Sequence, residues 1–365
     1  MMQSSTPASP TNPSSNGAND TGPASTLERA TNSIRAGNSL SEQDSFLAMR
    51  ALTVPGIPQA VSSAYLEALV VKGESVDEIV GSARAVLSQA VPFPKQDEAL
   101  DTCGTGGDGG ATFNVSTAAA LVVAAAGVEV VKHGNRSSSG RVGSADLLEA
   151  LGIRIDVSPE ELLERLRRFR FAFLFAPQFH PAVKALAPVR RQLKRPTIFN
   201  LIGPLCNPAR PPFQVVGVCS PAIAERMALA MSRLGLRRAA IVTGPDRIDE
   251  LAPSGENRVW FVAGSEITPS LLSASDAGLA HCELAELRGG DAATNAEIVR
   301  AVLRGERGAP RDAVLMNAGL ALVVAGRCPT LAQGCACCAE AIDQGAALRL
   351  LEDLREEGCS EGPRA

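Results

Sequence analysis

The stretch Asp101–Gly152 reads DTCGTGGDGGATFNVSTAAALVVAAAGVEVVKHGNRSSSGRVGSADLLEALG. A short strand runs into a glycine-rich turn, and the turn opens an apolar helix from about Asn114. A second strand, Val128–Val131, runs into a polar loop that opens another helix. Strands alternating with helices predict a mostly parallel sheet in an α/β fold. Two polar loops then leave the same sheet edge, one helix apart, and suit a phosphate-rich ligand held between them.

The first loop places Gly104, Gly106, Gly107, Gly109 and Gly110 within seven residues, more than a plain turn needs. Glycines permit positive φ and a close backbone approach to a ligand. The following helix offers unpaired N–H groups and the positive end of its dipole, and Asn114, Ser116 and Thr117 add side-chain donors there. Asp108 suits a ribose hydroxyl or a ligand's cation. A rival reading is a dinucleotide fingerprint, with Gly104, Gly106 and Gly109 as G-x-G-x-x-G and Glu129 as the acid about 20 residues on. Glu129 falls inside the second strand rather than at its end, which counts against it.

The second loop, Lys132 to Gly140, carries a cation, an imidazole, an amide, a guanidinium and three serines. Lys132 suits a pyrophosphate as a point charge, while Ser137, Ser138, Ser139 and the amides around Gly140 suit another phosphate. Ser144 reads equally as a helix cap or a phosphate donor, and His133 equally as a packed or a site histidine. Far downstream, Asp249 and Glu250 follow the strand Ala239–Thr243. Alone they would be solvated loop acids, but phosphate loops call for a counter-cation, and Mg²⁺ takes a few carboxylates plus ligand phosphates.

Outward from this centre, 365 residues at 45% hydrophobic suffice for a full core and for two domains. The net charge of −4 disfavours nucleic acid, which needs a basic face. The clusters Arg165–Arg170 and Arg190–Arg195 read as solvated helix faces. No apolar leader precedes Arg29, and the run Ala118–Val128 is too short to span a bilayer, so no membrane segment is expected. Nine cysteines without a disulfide framework point to a reducing cytoplasm. Cys335, Cys337 and Cys338 form no pair of C-x-x-C motifs and read as core-facing rather than zinc-binding.

Residues 1–26 lack large apolar side chains and read as a disordered tail. Residues 27–97 show helical periodicity, with capping boxes at Ser39/Glu42 and Ser75/Glu78 and breaks at Pro55 and Pro58. Residues 98–358 form the α/β domain, with further strands at Val215–Val218 and Ala239–Thr243 and a helix start at Ser158, Pro159 and Glu161. A helical excursion at about 178–197 is assigned to the helical domain. There is no Walker A lysine and no Ser-His-Asp set.

The motifs GTGGD with NVST, KHGNR, GSAD followed by LLEALG, FAPQFHPA, VRR with TIFNLIGPLCNP, and the Asp-Glu pair resemble the anthranilate phosphoribosyltransferase family from about Leu27 to the C-terminus. The resemblance implies a homodimer contacting through its helical domain. It also implies transfer of the phosphoribosyl group of 5-phosphoribosyl 1-pyrophosphate (PRPP) to the amino group of anthranilate in tryptophan biosynthesis, with two Mg²⁺ ions. Carried over, Gly104, Gly107, Asp108, Thr112, Asn114, Val115, Ser116 and Thr117 would line the PRPP site. Lys132, His133, Gly134, Asn135, Arg136, Ser137, Ser138, Ser139, Gly140 and Ser144 would hold its phosphates. Asn135 and Arg190 would meet anthranilate beside Gly104, and Ser116, Asp249 and Glu250 would bind magnesium. The chain departs from the family at Lys194 and Arg247, where Gly is common, and at Pro196, where Arg is common. The Asp-Glu pair also vaguely resembles the ribose-phosphate loop of orotate-type enzymes, but there the acids follow the strand directly. A pyrimidine nucleoside phosphorylase and a non-catalytic, nucleic-acid-binding relative are the other functions to set against this reading.

Overall fold

The structure, a computed structural model, describes residues 22–106, 112–137 and 142–360. Seven strands form one sheet: β1 (Leu100–Gly104), β2 (Val130–Gly134), β3 (Phe171–Phe175), β4 (Phe213–Gly217), β5 (Arg238–Thr243), β6 (Asn257–Ala263) and β7 (Glu266–Leu272). The order is β3-β2-β1-β4-β5-β6-β7; the first five are parallel, and β6 and β7 are antiparallel additions. This is the expected mostly parallel α/β sheet. The chain reverses its direction of winding between β1 and β4, leaving the crevice where ligands bind in such sheets.

Four helices precede the sheet: α1 (Pro23–Arg35), α2 (Glu42–Leu52), α3 (Gln59–Lys72) and α4 (Val76–Leu87). Pro23 and Thr26, assigned above to a tail, already belong to α1; proline suits a first helical position, and the Thr26 hydroxyl donates to the Gly22 carbonyl at 3.1 Å. Ser75 and Glu78 make the expected capping box. Ser39 does not cap α2: Ser41 does, its hydroxyl accepting from the Asp44 amide at 3.1 Å. Ser158 and Glu161 cap their helix as expected.

Two large apolar clusters flank the sheet. On one face lies α5 (Val115–Ala125), which is apolar all round because the helices Ala309–Val324 and Leu331–Asp343 and the C-terminal helix enclose it. On the other face, α1–α4 share a cluster with Met227 and Met231 of the helix Pro221–Arg233 and with Ile241 of β5. Leu186, Val189, Ile198 and Phe199, from the excursion and its sequel, join the same cluster. The excursion itself is three short helices, Ala176–Phe179, Pro181–Lys184 and Ala187–Leu193.

The arginine clusters are not uniformly solvated. Arg165 is buried, pairs with Glu357 and donates to the Arg154 carbonyl at 2.6 Å. A buried guanidinium is held by such partners, so this cluster pins the C-terminal helix.

Candidate active site

Strands β1, β2 and β4 each end in glycine at one edge of the sheet. At that edge the carboxylate loop crosses over β1 and β4. A Cβ on Gly217 would lie 1.5 Å from the Asp249 carbonyl oxygen, and one on Gly104 would lie 2.4 Å from its Oδ2. Gly134 ends β2 for a similar reason, since a Cβ there would meet the Ser144 hydroxyl at 2.2 Å. The approach at Gly217 needs glycine, because it is to backbone, whereas at Gly104 and Gly134 a Cβ would displace the side chains that face them.

Two cavities meet over these strand ends. The first, of about 270 Å³, is polar. Gly104, Thr112, Asn114, Ser116, Thr117, Lys132, His133, Gly134, Asn135, Arg136, Ser137, Ser144, Asp249 and Glu250 all line it. Residues from positions 104 and 250 thus share one wall. Gly107, Asp108, Gly109, Gly110, Ser138, Ser139 and Gly140 lie outside the described residues. Val115 is not among the residues lining the cavity: its side chain is fully buried in the apolar core on the inner face of α5.

The carboxylates are seated on backbone N–H groups. Asp249 Oδ2 accepts from the Gly106 amide at 2.7 Å, and Glu250 Oε1 accepts from the Ser116 amide, in the first turn of α5, at 3.2 Å. Lys132 is not in a loop as expected but in β2, and it is buried. Its ammonium donates to the Thr102 carbonyl and lies 3.5 Å from Ser116 Oγ, on the cavity floor. Asp101 is also fully buried; Asn207 Nδ2 donates to it at 2.9 Å and the His133 amide at 3.3 Å. Burial pushes its carboxyl up to about 6, against the opposing pull of Lys132. Asn114 stands at the N-cap of α5 without a side-chain capping bond: its Nδ2 donates to the Val142 carbonyl at 2.8 Å, and its Oδ1 accepts from Asn295 at 3.0 Å, tying the two loops together.

Helix α6 (Ser144–Ala150) begins the second loop's far side. Ser144 is its first residue rather than its cap, which is Gly143; the Ser144 hydroxyl donates to the Asn135 carbonyl at 3.3 Å. Arg136, in the loop after β2, lines the cavity but is held by acids of α6, with Nη2 2.7 Å from Glu149 Oε1 and Nη1 3.2 Å from Asp146 Oδ1. Much of its charge is therefore matched before any phosphate arrives.

The second cavity, of about 400 Å³, is more apolar and shares Gly104, Thr105, His133, Gly134, Asn135 and Asn200 with the first. Phe199, Ile202, Pro177 and Val183 form its walls, and Arg190 lines it. The Arg190 guanidinium stands over the Phe199 ring, 5.1 Å from its centroid, and makes no ion pair with any described residue. Desolvation lowers its pKa from the ordinary value. An unmatched guanidinium over an aromatic wall suits a planar carboxylate. His133 alternates with Lys132 along β2, so its ring faces away from the lysine, edge-on to His180 with centroids 5.2 Å apart. His133 lines both cavities, but burial and His180 push it down to about 3, and a neutral ring is poorly suited to pair with a phosphate charge. His180, Phe199 and Asn200 were not singled out above, although the quoted motifs contain them. No spacing rule marks them, because only the fold brings them to β2.

Two of the three family departures sit in left-handed backbone, Lys194 at φ 51° and Arg247 at φ 64°, where glycine is least strained. Arg247 is exposed and lines a separate groove with Glu256 and Arg258, away from the acid pair's cavity. Glu129 directly precedes β2 and so lies at the opposite edge of the sheet from the glycine turn, which removes the dinucleotide reading.

Ser116, Asp249 and Glu250 form a hard-oxygen donor set in the phosphate-sized cavity, which fits magnesium. Among the described residues no cluster of three or more His, Cys, Asp or Glu side chains is arranged for a metal, so a cation here would draw further ligands from substrate. No helix of the described residues is long and apolar enough to cross a membrane.

Comparisons with known proteins bear on the family and the fold. The family model described as "Glycosyl transferase family, helical bundle domain" matches residues 28–90, and "Glycosyl transferase family, a/b domain" matches residues 96–348. The anthranilate phosphoribosyltransferase of Moorella thermoacetica is 46% identical over 329 residues, covering 90% of this chain and 97% of the relative. The crystal structure of anthranilate phosphoribosyltransferase from Thermus thermophilus superposes with a TM-score of 0.85 at 42% identity, covering 90% of this chain and 99% of that one. The Saccharomyces cerevisiae enzyme in complex with PRPP and Mg gives 0.84 at 28% identity, covering 92% and 99%. The chain belongs to the anthranilate phosphoribosyltransferase family.

Proposed function

We propose that this chain transfers the phosphoribosyl group of PRPP to the amino nitrogen of anthranilate, releasing pyrophosphate, as an enzyme of tryptophan biosynthesis. The observation that carries the reading is the junction of the two cavities at the ends of β1 and β2. A polar cavity with an acid pair opens there onto an apolar one holding an unmatched arginine. The related yeast enzyme has been captured with PRPP and Mg and, separately, with 4-fluoroanthranilate. Neither a nucleoside phosphorylase nor a nucleic-acid-binding relative is favoured by the similar proteins.

The chemistry needs positioning more than a strong base. An aromatic amine is neutral at pH 7, and its lone pair attacks the ribose C1 as the bond to pyrophosphate oxygen breaks. In this reading Arg190 grips the anthranilate carboxylate bidentately, Phe199 packs on its ring, and Asn135 orients it at the cavity junction. The backbone of the two loops and the start of α5 hold the phosphates, with Lys132 beneath them as a fixed positive charge. Asp249, Glu250 and Ser116 would hold magnesium, which would supply charge neutralisation for the departing pyrophosphate. In this reading the same three side chains would serve two ions.

A homodimer through the helical domain accounts for Leu47, Val54 and Val71, large apolar side chains exposed on or beside α2 and α3. Light scattering across a dilution series tests it. A cytoplasmic location suits eight described cysteines all free. The reaction is tested by following anthranilate fluorescence with PRPP and Mg²⁺. The parent should consume anthranilate only when PRPP is present, and Asp249→Ala/Glu250→Ala should not. No PRPP-dependent loss with the parent would overturn the reading.

A further inference from the structure

The helices Ala309–Val324 and Leu331–Asp343 cross at close range because each carries a glycine at the contact. A Cβ on Gly319 would lie 2.7 Å from the Cys335 amide nitrogen, and one on Gly334 would lie 2.4 Å from the Gly319 carbonyl. The six residues between the helices fold back, and Cys328 among them rests on the second helix, its Sγ 3.7 Å from Sγ of Cys337. Cys337 faces solvent and Cys328 is buried behind it. Neither lines the two joined cavities.

We propose that Cys328 and Cys337 are a reversible oxidation site that a peroxide converts to an intramolecular disulfide. The Cys337 thiolate attacks one peroxide oxygen. The O–O bond breaks, hydroxide leaves and is protonated to water, and the sulfur, oxidised by two electrons, becomes a sulfenic acid. The Cys328 thiolate then attacks the Cys337 sulfur, the S–O bond breaks, and a second hydroxide leaves as water. Two thiols and one peroxide thus yield one disulfide and two waters, and a dithiol reductant restores both thiols.

Geometry selects this pair among the local cysteines. The sulfurs must close from 3.7 Å to about 2.05 Å, and Cys328 lies in the inter-helix turn rather than inside a helix, so its backbone can supply the movement. Cys335 and Cys338 are buried, and the Cys335 thiol donates to the Leu315 carbonyl at 3.2 Å. Burial pushes Cys335 up to about 12 and holds Cys338 well above the usual thiol range, keeping both as inert thiols. Burial also raises Cys328, to about 11, so it suits the resolving role, and ring closure should accelerate as pH rises. No metal arrangement of these thiols exists among the described residues.

The full chain is treated with an equimolar amount of hydrogen peroxide and denatured in urea with N-ethylmaleimide. It is then reduced, labelled with iodoacetamide and sequenced by mass spectrometry. The iodoacetamide label should fall on Cys328 and Cys337 alone, and dithiothreitol added before the maleimide should abolish it. Cys328→Ser should instead leave Cys337 as a sulfenic acid that dimedone traps, while Cys335→Ser should leave the pairing intact. Iodoacetamide on Cys335 or Cys338, or maleimide on Cys328 while Cys337 is oxidised, would overturn the proposal.

Discussion

Asn317 holds Leu251 by both of its backbone groups. Its Oδ1 accepts from the Leu251 amide at 3.0 Å and its Nδ2 donates to the Leu251 carbonyl at 2.7 Å. Leu251 follows the acid pair directly, so a buried amide on the helix Ala309–Val324 sets where Asp249 and Glu250 stand.

Asn317→Ala leaves both backbone groups buried without these partners, at about 1–3 kcal/mol each. Urea unfolding should register that loss. In steady-state kinetics the magnesium concentration for half-maximal rate should rise several-fold, while KM for anthranilate stays within about twofold. An unchanged magnesium requirement would mean that Asn317 supports the fold without positioning the acids.

Gly217→Ala puts a methyl where the Asp249 carbonyl already sits, 1.5 Å away. Either β4 or the acid loop must shift, and a misplacement of about 1 Å can cost about 100-fold in rate. Turnover should fall by at least that factor while far-ultraviolet circular dichroism stays native-like. Activity within a few-fold of the parent would show that the loop relocates freely.

Arg190→Ala should raise KM for anthranilate by about 10- to 100-fold, since each tenfold is about 1.4 kcal/mol of lost pairing, and leave KM for PRPP nearly unchanged. Arg190→Lys should recover only part of the loss, because an ammonium lacks the planar fork. Equal effects on both substrates would separate Arg190 from the acceptor.

The pH dependence of stability turns on two buried groups with opposite signs. His133 sits at about 3 when folded, below its ordinary 6.5, so its contribution is full above pH 6.5 and is lost as pH falls toward 3. Asp101 sits at about 6, above its ordinary 3.8, so the folded state takes up its proton first and gains stability as pH falls through that window. Between about pH 4 and 6 the two slopes, each up to about 1.4 kcal/mol per pH unit, offset one another. His133→Asn removes one of them. The stability of the variant relative to the parent, from urea titrations, should therefore rise steadily between pH 6.5 and 4. A constant difference would show that His133 is not held neutral.

The alternation of apolar strands and helices, the glycines of the first loop and the cap at Ser75 were legible because each follows from local backbone chemistry acting over a few residues. The start of α1 at Pro23 and the capping of α2 by Ser41 were missed by a few positions, where neighbouring polar residues offer near-equal local choices. Arg165 was misread because nothing in its own helix shows that Glu357, nearly two hundred residues later, will bury it.

The opening stretch already specified two polar loops one helix apart, since glycine content and helix starts carry that information locally. It did not specify what faces them. Asp249 reaches Gly106 only because the β1 and β4 ends, paired Gly104 to Gly217, leave room for another backbone to cross. Val115, adjacent to Ser116, turns into the core because a helix sends neighbours about 100° apart. His133, adjacent to Lys132, turns toward His180 because a strand sends neighbours to opposite faces. Which side chain of each adjacent pair meets the donor, the acceptor or the core depends on packing between elements far apart in the chain, and no local pattern encodes it.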